Sequence, residues 1–364
     1  MRPIRLLVPA NIRHNSGGNV YNARLVAGLR VLGTDVEVLP VEGSWPESSA
    51  KERRRLGTLL GAWEPGAVPG TAVTIVDGLI AMGAPDPLEF AAKAGRETWV
   101  LVHMPAPANY DLEARSLRAA SGIICTSTWA AKILEERHGL RGLHVALPGA
   151  DAAALAEGSA PPHIITVAAL LPNKDQLLVV EALARLQDLE WTASLVGSDQ
   201  ADPDYAGRVR ESVAAHGLGN RVRIAGELKG QALEEEWNRA DLSVLVSKAE
   251  AFGMVVTESL AHGIPVIVRA GTGAVEALGF AAPDEGKSVS GTAVHFPGTE
   301  DSENPALLAE VLRNWLQDRR IRDTWRAAAL ETRTTLPGWD RTAIRIMDLT
   351  ANSRTGPDKR QPEG

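Results

Sequence analysis

The chain has 364 residues, 45% of them hydrophobic and 23% charged, with a formal net charge of -7. That composition excludes a disordered polymer, and a chain this long is expected to form two domains with separate cores. Basic and acidic residues balance over the first 160 positions and the surplus of acid falls after them, so nucleic acid is not expected as a partner. The opening "MRPIRLLVPANIRHNSGG" holds one short apolar run, without the longer apolar region or cleavage site of a signal peptide. No segment approaches the roughly 18 apolar residues of a membrane span. The single cysteine, Cys125, lies in "GIIC", which leaves no disulfide framework and no cysteine metal site. A packed core thiol and a cytoplasmic location are expected.

Short β-rich apolar runs alternate with helical patterns, the signature of βα units on a parallel sheet. In the first half the predicted strands are Ile4 to Pro9, Val36 to Val41, Ala72 to Val76, Thr98 to His103, Gly122 to Thr126 and Gly142 to Leu147. The cluster "KERRR" at 51 to 55 reads as a solvated helix face; contact with an anionic membrane surface or a phosphate-bearing acceptor is the less favoured reading. "DAAALAEGSAPP" at 151 to 162 has the small-residue, proline-containing look of a linker. The second series of strands is His163 to Ala169, Thr192 to Gly197, Arg221 to Gly226, Leu242 to Ser247, Pro265 to Ala270 and Thr292 to Phe296. Asn304 and Pro305 offer an N-cap and a first-turn proline for a helix to about Gln317, another helix starts near Asp318, and a last one near "GWDRTA". The expected fold is α/β, with two Rossmann-like domains at 1–160 and 161–338 facing a central cleft. Residues 339–352 are expected as a helix returning to the first domain, and 353–364 as a disordered tail.

The stretch "SKAEAFGMVVTESLAHGIPVI" sets two glutamates, Glu250 and Glu258, in mostly apolar surroundings, where a carboxylate is costly unless it is paired. Strand Leu242 to Ser247 would deliver this loop to the carboxyl edge of a parallel sheet, where ligands bind in such folds. A helix starting at Phe252 or Gly253 would leave the amides of Phe252, Gly253 and Met254 as an anion site. Phosphate there would be repelled by adjacent carboxylates, so Glu250 and Glu258 suit neutral hydroxyls on either side, each able to accept from a vicinal diol. Diol, diphosphate and diol in series describe a nucleotide-sugar.

"EAFGMVVTE" resembles the E-x7-E signature of retaining glycosyltransferases with the GT-B fold, the group-1 or family-4 type. "HIITVAALLPNKDQLLVVEAL", "LVGSD", "NRVRIAGEL", "ADLSVLVS", "AHGIPVIVRAGTGAVEAL" and "GTAVHFPG" follow in that family's order, and "NSGGNVYNARLVAGL" and "WVLVHMPAP" resemble its first-domain segments. The resemblance implies a metal-independent, cofactor-free transfer from a nucleotide-sugar donor to a small-molecule, glycan or lipid-linked acceptor. By it, Lys174 and the Phe252 to Met254 amides would hold the diphosphate, Glu250 the donor sugar and Glu258 the ribose diol. Gly17 and Gly18 would let the first domain's glycine-rich loop close over the phosphates, and His103 would lie near the anomeric carbon. Glu276, Gly271 and Gly273 would complete the sugar pocket, with Gly197, Glu227 and Leu228 also in the donor site, the last two near the base.

One position departs from the family. Its members usually carry an arginine five residues before the lysine, where this chain has Ala169. A charge-assisted hydrogen bond contributes about 1.5–3 kcal/mol, so its loss is expected to weaken leaving-group stabilisation by roughly ten- to a hundredfold. Arg13, Lys248 and Arg269 are candidate substitutes, and a non-catalytic nucleotide-sugar-binding homologue or a sugar-nucleotide epimerase remains an alternative. Other motifs fail: "EGKS" at 285 to 288 has Ala281 where a P-loop needs glycine, "NSGGN" is not a dinucleotide fingerprint, and "DPD" at 202 to 204 opens a predicted helix.

Overall fold

A computed structural model of the chain describes residues 2–12, 16–63, 72–279, 289–298 and 302–352. Arg13, "EGKS" and the tail from 353 lie outside the described residues. The chain forms two compact units, one of residues 1–148 with 339–364 and the other of residues 149–338.

The first unit is built on six parallel strands: β1 (Ile4–Pro9), β2 (Val36–Val41), β3 (Val73–Asp77), β4 (Thr98–Val102), β5 (Gly122–Cys125) and β6 (His144–Val145). Their order in the sheet is β2-β1-β3-β4-β5-β6. The central strands are buried throughout because helices cover both faces, which is why they read as near-continuous apolar runs. Cys125 is fully buried in this core, where burial pushes its thiol up to about 12. The helix Trp339–Asn352 belongs to this unit: Trp339 meets Tyr21 edge-on at 5.5 Å, and Thr342 Oγ1 donates to Leu147 O at 2.7 Å. The basic cluster lies on helix Ala50–Leu59, started by a Ser49/Glu52 capping box, with Lys51, Arg54 and Arg55 exposed.

The second unit holds β7 (His163–Val167), β8 (Thr192–Val196), β9 (Val222–Gly226), β10 (Leu242–Leu245), β11 (Val266–Arg269) and β12 (Gly291–Val294). All pairings are parallel, in the order β12-β11-β10-β7-β8-β9. Every predicted strand exists, and most end a residue or more early. Leu242 to Ser247 shows why: Val246 and Ser247 stay buried but leave the ladder, and Val246 O turns to accept from Arg269 Nε at 2.8 Å.

Three readings are corrected. The segment expected as a linker is bonded along the second unit: Ala156 donates to His262 O at 3.0 Å, and Glu157 and Gly158 to Asn238 O at 2.9 Å. Asn304 is the first helical residue of Asn304–Gln317 rather than its cap, because its Nδ2 is held by Gly298 O at 2.6 Å. Gly17 and Gly18 are not in a loop but open the helix Gly17–Val31, capped by Ser16 Oγ accepting from Asn19 N–H.

Candidate functional site

In the second sheet β7 lies between β10 and β8, so the strand order reverses at the β7–β10 boundary. In open parallel sheets, ligands bind outside the carboxyl ends of the strands at such a reversal. After β7 comes one 3₁₀ turn, Pro172–Lys174; after β10 comes the loop carrying Lys248 and Glu250. The loops are joined at the backbone, Lys248 N–H donating to Asn173 O at 2.7 Å, and at the side chains, Lys174 Nζ lying 2.7 Å from Glu250 Oε2. The two partners proposed from sequence for phosphate and for sugar thus satisfy one another.

Helix Met254–Ala261 starts two residues later than the earliest expectation, with Gly253 as its N-cap at φ 84°. That left-handed conformation favours glycine, and the N–H groups of Met254 and Val255 that follow it in the first turn have no intrahelical acceptor. Glu258 is half-buried one turn on. Gly273 donates to Glu250 O at 2.7 Å, and a Cβ there would lie 1.7 Å from Ala251 O, so only glycine lets the loop after β11 close on the Glu250 loop. Gly271 lies in that loop, and Glu276 is half-buried in the short helix Ala274–Gly279 that follows. At the end of β8, Gly197 N–H reaches Gly226 O at 2.8 Å. Glu227 and Leu228 follow β9, Glu227 exposed and 3.2 Å from Lys229 Nζ. Every second-unit residue proposed for the donor therefore lies on a loop, or in the helix it opens, beyond the carboxyl end of β7, β8, β9, β10 or β11.

Of the candidate substitutes for an arginine at position 169, Arg269 is corrected. It is not a loop cation but the buried last residue of β11, its Nη2 lying 2.5 Å from Asp175 Oδ2 and its guanidinium stacked 4.4 Å above the Phe296 ring. Lys248 is more accessible, 23% exposed, with Nζ 3.9 Å from Asp175 Oδ1. The Asp175–Arg269 pair was not singled out from sequence; a polar pair 94 residues apart leaves no local signal.

In the first unit His103 follows β4, and Gly18 lies against it: a Cβ on Gly18 would be 3.1 Å from His103 Cδ2. Tyr21 meets the imidazole edge-on at 5.2 Å. Two residues missed in the sequence complete the group. Asp77 at the end of β3 is 4% exposed, and its Oδ2 lies 3.2 Å from His103 Nε2 and accepts from Asn22 Nδ2 at 2.9 Å. Burial raises the Asp77 carboxyl, but the charge and hydrogen bond of His103, with bonds from Leu79 N–H and Asn22, outweigh it and hold the group below the usual carboxylate range.

Two parallel-sheet Rossmann-like units, the second with its candidate residues on the loops at the carboxyl edge of the sheet, define the GT-B fold. Residues 150–332, half of the chain, match the model of the glycosyl transferases group 1, and the protein belongs to that family. Over 194 residues it is 28% identical to D-inositol 3-phosphate glycosyltransferase 1 of Catenulispora acidiphila, an overlap of 51% of this chain and 42% of the relative. The chain thus spans less than half the length of that relative. A crystal structure of a glycosyltransferase from Rickettsia africae is similar at a TM-score of 0.73 and 17% identity, covering 97% of this chain and 98% of the other. The Anabaena protein Alr3699/HepE, solved with UDP and glucose, is similar at 0.70 and 18% identity, covering 97% and 100%. At these identities the structural likeness is one of fold.

Proposed function

We propose that the protein is a retaining glycosyltransferase that moves a sugar from a nucleotide-diphosphate-sugar to an acceptor hydroxyl, without a metal ion or cofactor. The observation that carries this reading is the Lys174–Glu250 pair at the strand-order reversal, beside the Met254 helix end. Donor binding replaces each partner by a better one: diphosphate oxygens for Lys174, sugar hydroxyls for Glu250. Glu258 takes the ribose diol, Gly271, Gly273 and Glu276 border the sugar, and Glu227 and Leu228 lie beside the base. Lys248 stands in for the arginine absent at 169, a role supported by its tie to the Lys174 turn. His103, with Gly17 and Gly18, serves the reacting end of the donor.

In the reaction the acceptor oxygen bonds to the anomeric carbon as the bond from that carbon to the phosphate oxygen breaks. The electron pair leaves with the diphosphate, which takes up the acceptor's proton. Fixed amides and lysines stabilise the charge that develops on the leaving group. The name of the Catenulispora relative makes inositol 3-phosphate the first acceptor to try, ahead of glycans and lipid-linked acceptors. A cytoplasmic location belongs to this reading, supported by the lone, buried thiol of Cys125.

The test is calorimetric titration of UDP-, GDP-, ADP- and TDP-sugars into the protein and into Glu258→Ala. One donor is expected to bind selectively, and the substitution to weaken it about tenfold or more through the lost charged acceptor. No binding to the folded protein overturns the reading. Binding without release of nucleoside diphosphate, with inositol 3-phosphate present or in water alone, leaves the binding homologue that Ala169 favours.

A further inference from the structure

We infer that Asp77 and Asn22 are positioning residues that hold His103 in a single tautomer, with the proton on Nε2 and a bare lone pair on Nδ1. The inference rests on the role proposed for His103, but its test reads the imidazole directly and needs no substrate.

The hydrogen-bond chemistry closes in steps. Asp77 Oδ1 accepts from Leu79 N–H at 2.9 Å, which pins the carboxylate at the start of helix Gly78–Gly83. Asp77 Oδ2 then lies 2.9 Å from the Asn22 side chain. A carboxylate only accepts, so the amide must present its NH₂ there and turn Oδ1 the other way. Asn22 is itself 5% exposed on the buried stripe of its helix, so water offers the amide little alternative. His103 Nε2 consequently faces two acceptors, Asn22 Oδ1 at 3.1 Å and Asp77 Oδ2 at 3.2 Å. A lone pair on Nε2 would be repelled by both, whereas an N–H is shared between them.

The other ring nitrogen has no hydrogen-bond partner among the described residues. Tyr21 packs edge-on at 5.2 Å and Gly18 leaves room for little more than its own hydrogens, so the ring cannot flip without displacing both. In the neutral ring, then, the atom left for substrate is a hydrogen-bond acceptor. It suits a hydroxyl, which can donate a hydrogen bond to it, and it does not suit a phosphate oxygen, which only accepts. The task of His103 is thereby assigned to a substrate hydroxyl rather than to the diphosphate.

The experiment is two-bond ¹H–¹⁵N correlation on protein labelled at histidine nitrogen, at about pH 8.5, well above the ordinary histidine range. His103 is identified by the signals lost in His103→Gln. The expected spectrum has a protonated Nε2 and an unprotonated Nδ1 in the wild type. Asp77→Asn, which can turn an NH₂ toward the ring, should populate the opposite tautomer and slow release of nucleoside diphosphate from the selected donor about tenfold or more. The affinity for that nucleoside diphosphate should stay within about twofold. A wild-type ring protonated on Nδ1, or one averaging between tautomers, overturns the inference. So does an Asp77→Asn spectrum identical to the wild type. Should Asp77→Asn not fold, the wild-type spectrum still decides between the tautomers. Failure of every nucleotide-sugar to bind would sink the proposed function but leave the tautomer assignment to its own measurement.

Discussion

Glu250→Gln keeps the size of the side chain and removes its charge, and the structure gives it opposite effects on two related ligands. Glu250 Oε2 lies 2.7 Å from Lys174 Nζ, with the side chains 14% and 21% exposed. A pair that water still reaches stabilises by about 1 kcal/mol. A diphosphate must draw Lys174 away from that pair, so the substitution removes an opposing term and the nucleoside diphosphate alone should bind up to about fivefold more tightly. The sugar-linked form gains the same relief but loses a charged acceptor for its hydroxyls, which costs about 1.5–3 kcal/mol. The preference for the sugar-linked form over the bare diphosphate should therefore fall by about ten- to a hundredfold. Calorimetric titration of both ligands into both proteins measures that ratio. If the two affinities move together by the same factor, Glu250 does not touch the sugar and the division of labour argued here is wrong.

Three further outcomes are expected. Gly273→Ala puts a Cβ 1.7 Å from Ala251 O, so the Glu250 loop must shift; melting should fall by roughly 2–10 °C, from a cost of about 1–3 kcal/mol, and donor affinity should drop with it in a calorimetric titration. Lys248→Met should weaken nucleoside-diphosphate binding about tenfold and flatten its salt dependence, with Lys248→Arg retaining most of the affinity; an unchanged titration would leave Ala169 uncompensated. Glu236 is raised by burial but lowered further by His163, Ser194, Arg223 and Arg239, to about 2. A carboxyl depressed in the fold contributes stability that is present above its unfolded value and lost as pH falls through the folded one. Glu236→Gln should thus cost about 2–3 kcal/mol at neutral pH in denaturant unfolding, and the gap should close between about pH 4.5 and about pH 2.

The alternation of strand and helix was legible because the central parallel strands bury both faces and so leave dense Val/Ile/Leu runs between turn residues. The donor loops were legible for a different reason. Lys174 closes its own turn, and Glu250, Gly253 and Glu258 lie within nine residues of one another on a single loop and helix, so local sequence holds their chemistry. What local sequence does not hold is pairing across the sheet. Lys174 meets Glu250 over 76 residues and Asp175 meets Arg269 over 94, contacts that exist only because β7 is inserted next to β10 and β10 next to β11. Arg269 therefore read as an available cation when topology had already given it a carboxylate.

The first unit carries the same lesson in a form that did leave a trace. Asp77 reads as an ordinary helix cap, and it does cap, accepting from Leu79 N–H; nothing local shows that its second oxygen serves a histidine from the next strand. Asn22 is different. The buried positions of its helix are Tyr21, Asn22, Leu25, Val26 and Leu29, so an amide sits on an otherwise apolar stripe. Leaving such a group unpaired costs a few kcal/mol, so its presence there requires a partner from another element. With β1, β3 and β4 adjacent in the sheet, the helix that follows β1 meets the ends of the other two, and the candidates narrow to Asp77 and His103. A polar residue on an apolar helix face is thus the sequence signal that points to the buried half of a site, whereas glycines and motif spacing point to the half that meets the ligand.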